Sequence, residues 1–173
     1  MKTFTIALAV SIGLCLLLLG SCTKKDELGT PTFIPKDDRG YCKIDGKNWE
    51  TCTKFLGKPE VNAHFYPGSE LQVEFNNVCE DHESYVYFVL KNITDTGVYL
   101  LSNYHFGIYV IEAGYILRSR TDSTHTGKVH ITKFDKTLQR LSGTFEMILN
   151  DTVHKSTIYI SEGQFTNAPY ERP

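Results

Sequence analysis

Cys79-Glu80-Asp81-His82-Glu83 is the densest run of metal-ligating side chains in the sequence. Structural zinc, however, is held by paired ligands spaced Cys-x2–4-Cys or His-x3–5-His, and no second half accompanies the run. A calcium loop alternates oxygen ligands around a central glycine, which is missing here too. The stretch therefore reads as a solvated acidic loop, and no metal or cofactor is expected. His64, His105, His125, His130 and His154 are scattered, with no Gly-x-Ser-x-Gly elbow and no cysteine-centred signature. Glu74 and Glu146 each fall on a predicted strand, but glycoside cleavage needs two carboxylates roughly 5–9.5 Å apart, a spacing a sequence does not reveal. No catalytic residue is assigned, and an enzyme is not expected. Aromatic residues offer a different chemistry. Tyr104, Phe106 and Tyr109, with Tyr85, Tyr87, Tyr99 and Tyr115 nearby, could present ring faces to a sugar or a peptide. Rings are also ordinary strand formers, so most of these should be core or cross-strand residues. The candidate ligand surface is Tyr104, Phe106 and Tyr109.

The thiol with the most specific context is Cys22. Lys2 precedes an apolar run from Ile6 to Leu19, broken only by Ser11 and Gly13. That is the layout of a secretory signal, and it falls short of the roughly 20 apolar residues that span a bilayer. Leu19-Gly20-Ser21-Cys22 resembles a bacterial lipobox. The resemblance implies removal of residues 1–21 and diacylglycerol on Cys22, so that the chain's first partner is the membrane. Residues 22–39, with Gly29, Pro31, Pro35 and many charges, read as a flexible tether. Cys22-Thr23-Lys24-Lys25-Asp26-Glu27 is similar to the lysine-then-acidic motif that sends lipoproteins of Bacteroidota to the outward face of the outer membrane. Outward display is the expectation and the periplasmic face the alternative. An outward-facing chain would meet an extracellular glycan or a surface protein.

These residues need elements to hold them, and the pattern from Tyr41 onward has period two. Asp45-Gly46 joins two short alternating runs, a strong hairpin signal. Leu71, Val73 and Phe75 alternate with polar residues, and Leu141, Gly143, Phe145, Met147 and Leu149 share one face opposite Ser142, Thr144, Glu146 and Ile148. Tyr85 to Leu90 is apolar on both faces and belongs in the middle of a sheet. No window carries a capped helical stripe. Residues 40–168 are expected to form a single all-β domain, an antiparallel β-sandwich, with a closed lipocalin-like barrel as the alternative. Residues 169–173 read as a C-terminal tail. The net charge of −2, with no basic stripe, disfavours nucleic acid.

Of the five cysteines, Cys42, Cys52 and Cys79 lie beyond the signal and lipid positions, and an export route favours a disulfide. The Asp45-Gly46 turn places Cys42 opposite Trp49 and points Cys52 to the other face, so a Cys42–Cys52 bond needs a bulge or an ended strand. Proximity in sequence still favours Cys42–Cys52 narrowly, with Cys52–Cys79 as the alternative. Asp122-Ser123-Thr124 and Asp151-Thr152-Val153 resemble the O-glycan acceptor motif of Bacteroidota exports. Asn92-Ile93-Thr94 and Asn150-Asp151-Thr152 match the N-glycan pattern, which carries little weight beside a lipobox.

Taken in order, Cys42 to Trp49, Gly127 to Asp135, Ser142 to Glu146 and Ile160 to Phe165 resemble an uncharacterised family of small β-rich Bacteroidota lipoproteins. Glu162 and Gln164 stand where its members usually carry asparagine or arginine. The resemblance implies a lipobox and a β domain with no assigned activity, so no site residue carries over. The leading expectation is a lipid-anchored, non-enzymatic binding or structural module. A barrel carrying a small apolar ligand comes second, and a hydrolase of cell-surface glycans third.

Overall fold

A computed structural model describes residues 39–53, 59–79, 83–112 and 116–171. The expectations for residues 1–21, Cys22 and the tether up to residue 38 fall outside these residues. So do Glu80, Asp81, His82 and Tyr115.

The chain is all-β. Its strands are β1 (Gly40–Ile44), β2 (Lys47–Glu50), β3 (Val61–Tyr66), β4 (Glu70–Asn77), β5 (Glu83–Lys91) and β6 (Gly97–Leu101). They continue with β7 (Phe106–Glu112), β8 (Ile116–Arg120), β9 (Gly127–Asp135), β10 (Arg140–Asp151) and β11 (Ser156–Glu171). The turns follow from local chemistry. Asp45 and Gly46 both have positive φ, the conformation of a two-residue hairpin turn, and Cys42 pairs with Trp49 as the spacing predicts. Asp135 and Asp151 each accept hydrogen bonds from the backbone N–H groups two and three residues on. Such a side chain stands in for the backbone and fixes the reversal.

The strand order is β2-β1-β11-β3-β4-β5-β7-β8-β10-β9-β6, and β11 also pairs with β10. Hydrogen bonding thus runs in a circuit from β11 through β3, β4, β5, β7, β8 and β10 back to β11. Two links are short. β11 meets β3 at Tyr170–Ala63 and Glu171–His64, in parallel, and β8 meets β10 at two residue pairs. These short joins set off a layer β3-β4-β5-β7-β8 from a layer β2-β1-β11-β10-β9-β6. The architecture is a sandwich joined at both corners, equally a flattened barrel. β5 is central, as its two-sided apolar sequence predicts.

Between the layers, Phe75 and Phe88 meet Phe145 and Phe165 with ring centroids 4.8–6.0 Å apart. Two glycines make room for them. Gly163 pairs with Phe145 and Gly143 with Phe165. A Cβ added at Gly163 would stand 2.6 Å from the Phe145 ring, and one at Gly143 would stand 2.9 Å from the Phe165 ring.

β11 continues past Ala168 to Glu171. Bulges with positive φ at Glu162 and Asn167 let one strand of 16 residues bend along β10 and reach β3, and Tyr170 is buried. The disulfide is Cys52–Cys79, with Cα atoms 5.7 Å apart, and not Cys42–Cys52. Beyond β2 the chain runs beside the end of β4, where the Cys52 N–H donates to the Asn76 carbonyl and the Val78 N–H donates to the Cys52 carbonyl. Cys42 faces inward with Trp49, is fully buried and is unbonded. Burial pushes its thiol up to about 12.

Candidate ligand-binding face

Strand parity decides which aromatic residues share a surface. Across the first layer, Glu74, Tyr87, Ile108 and Arg120 form one row, and Asn76, Tyr85, Val110 and Arg118 form the next. Gln72, Val89 and Phe106 form a third. All of these point away from the core, because the alternate residues Val73, Phe75, Val86 and Phe88 fill it. Val89, Ile108 and Val110 are nevertheless only 2%, 8% and 6% exposed, although they lie outside the core cluster. Their cross-strand partners on the same face are Phe106, Tyr87 and Tyr85. Tyr85, Tyr87 and Phe106 are half-buried there, while Arg118 and Arg120 are exposed.

The charged groups have defined places. The Arg120 guanidinium lies 4.0 Å from the centre of the Phe106 ring, a cation–π arrangement that orients its plane. The Tyr85 hydroxyl donates to Glu83 Oε2 at 2.6 Å. Burial pushes the Tyr87 phenol above its usual value; Arg118 and Arg120 pull it down, and Glu74 pushes it up. Both guanidinium groups therefore act on the same phenol. Among the described residues, neither arginine has a carboxylate within ion-pair distance.

The expected surface of Tyr104, Phe106 and Tyr109 is divided by this parity. Phe106 lies on the outward face. Tyr104 is an exposed extension at its end, where its hydroxyl accepts from Asn92 Nδ2 at 2.8 Å and Lys91 Nζ stands 5.5 Å from its ring centre. Tyr109 pairs with Val86 and packs on the core from the inward side. Reading the sequence missed Arg118 and Arg120, although their i, i+2 spacing around Ser119 in a strand was the available signal.

Beside Tyr104, His105 Nδ1 accepts the Lys91 N–H at 3.0 Å, and the ring meets Tyr99 and Tyr104 edge-on. Burial, aided by the Lys91 charge, lowers its pKa.

Among the described residues, the other titratable groups form no relay. Asp122 and the Thr124 hydroxyl both meet Nδ1 of His125, at 3.0 Å, so they compete for one nitrogen. A nucleophile–base–carboxylate relay uses opposite nitrogens of the ring. The N–H of His125, then the hydroxyl and N–H of Thr124, hold the Asp122 carboxyl well below its usual range. Burial raises the Asp151 carboxyl, but the N–H and ring of His154 and the N–H of Val153 outweigh it and leave it low. Ser123 and Thr152, the hydroxyl residues of the two O-glycan-like motifs, are exposed in these turns. His130 points outward between Lys128 and Thr132, as its alternation predicts. Glu74 and Glu146 lie on the outward faces of different layers, so they do not flank one bond. Among the described residues, no three metal-ligating side chains converge.

Comparison with protein-family models, with curated proteins and with solved structures found no match.

Proposed function

We propose that the chain is a lipid-anchored module of the outer membrane that binds a ring-bearing ligand, without catalysis, on the outward face of β5, β7 and β8. One observation carries the reading. Three aliphatic side chains on an outward face, Val89, Ile108 and Val110, pair across the strands with the rings of Phe106, Tyr87 and Tyr85, with Arg118 and Arg120 at the rim. An apolar strip framed by rings and a few polar groups suits a ligand that offers both a flat face and hydrogen-bonding groups. The lipobox-like segment at Cys22 supplies the anchor in this reading, and the following lysines and acids supply outward display. An external glycan is the partner the face favours. The four phenyl rings between the layers leave the carrier reading without support, and the doubly used Nδ1 of His125 gives none to a hydrolase.

The test is binding to an array of glycans, comparing wild type with Tyr87→Ala and with Leu100→Ala on the other layer. Retention of selected glycans by wild type and Leu100→Ala, with at least tenfold weaker binding by Tyr87→Ala, is expected. Retention unaffected by Tyr87→Ala would remove this face as the site. Protease treatment of intact cells, with Cys22→Ala as control, tests display: wild type should be anchored and cleaved from outside.

A further inference from the structure

Resting on that reading, we infer that the ligand is an acidic polysaccharide, and that Arg118 and Arg120 read its anionic groups. Alternate residues of a strand point to one side about 7 Å apart, so the two guanidinium groups stand side by side along β8. Like charges so placed repel, and among the described residues neither guanidinium forms an ion pair with a carboxylate, Glu74 lying in the Arg120 row but beyond ion-pair distance. An anion on the ligand would pair with both. Arginine suits the task because its planar fork donates two parallel N–H bonds to a carboxylate or sulfate. Phe106 holds the Arg120 plane from one side, so little freedom is lost when its N–H groups engage.

The rest of the face selects a sugar over other polyanions. Tyr87 stands in the Arg120 row, with Ile108 between them, and offers a ring and a hydroxyl to a pyranose. Gln72 stands in a neighbouring row, where its Nε2 donates to Glu74 Oε2 at 3.3 Å and its amide oxygen is suited to a sugar hydroxyl. A peptide strand would draw its affinity from backbone pairing at a sheet edge, whereas β5 and β7 are paired on both sides. A nucleic acid needs a longer basic stripe, and Glu74 and Glu83 interrupt this one.

The experiment titrates the full mature chain in detergent with polygalacturonate and, separately, with its methyl ester, which keeps the ring and removes the charge. The acid form should bind at least tenfold more tightly than the ester, and added salt should weaken it. Arg118→Gln with Arg120→Gln should abolish that difference while leaving the melting temperature unchanged. The corresponding lysine pair, which keeps charge but loses the fork, should fall between. Dextran sulfate, which carries sulfate and no carboxylate, in place of polygalacturonate separates sulfate from carboxylate as the preferred anion. Equal binding of acid and ester, lost only in Tyr87→Ala, would overturn the charge inference and leave the ring-binding reading standing. Acid binding unchanged in both the arginine and the Tyr87 variants would overturn the two together. No binding of any of these polymers would overturn the inference, and the glycan array then decides the reading.

Discussion

A hydrogen bond accepted by a histidine nitrogen is lost when that nitrogen is protonated, and His105 is held in this state. Its Nδ1 takes the Lys91 N–H, and burial with the Lys91 charge lowers its pKa below 6.5. The folded chain therefore binds this proton less readily than the unfolded chain does. Stability from His105 is present above pH 6.5 and is lost as pH falls through the lower folded-state value. Denaturant unfolding at pH 7 and pH 5 should show this loss, and His105→Gln should flatten that part of the profile. An unchanged slope would contradict the assigned acceptor role. Single residues were unevenly legible in the sequence. The inward pairing of Cys42 with Trp49 followed from one turn. The parity that separates Tyr109 from Phe106 was equally available, because neighbours in a strand face opposite ways. The Cys52–Cys79 bond was harder, since it depends on where the chain runs after β2.

Among elements, β11 was the least readable. Period-two alternation is the signal for a strand, and a bulge breaks it by inserting an unpaired residue. The alternation is broken at Ser161-Glu162-Gly163, while the structure carries the strand through it. By contrast, Asp135 and Asp151 announce their turns, because a short acidic side chain caps the next N–H groups. Gly163 tests the account of β11. A methyl group there would meet both the ring and the carbonyl of Phe145, in a core with little room to yield. Gly163→Ala should lower unfolding stability by about 1–3 kcal/mol. A neutral result in denaturant titration would mean that β10 and β11 are not packed this closely.

For the whole molecule, the all-β class was legible because many short alternating runs at steady spacing have few other solutions. The circuit was not, since it hangs on two joins of two residue pairs each, one of them parallel and far apart in sequence. The disulfide adds a further tie, closing a loop with a sequence separation of 27 residues. Replacing Cys52 and Cys79 together by serine should cost about 3 kcal/mol through greater freedom of the unfolded chain. In the native protein Cys42 should stay unreactive toward thiol reagents at pH 8, because burial holds the thiol protonated. Ready labelling would contradict its inward position.

The binding face is the central claim, and methyl resonances report on it directly. Val89, Ile108 and Val110 stand nearly buried beside its rings, whereas Val98, Leu100 and Ile148 lie outward on the other layer. Titration with the acidic polysaccharide should shift the first three methyl sets and leave the second three in place. Shifts confined to Val98, Leu100 and Ile148 would put the ligand on the wrong layer and contradict the account.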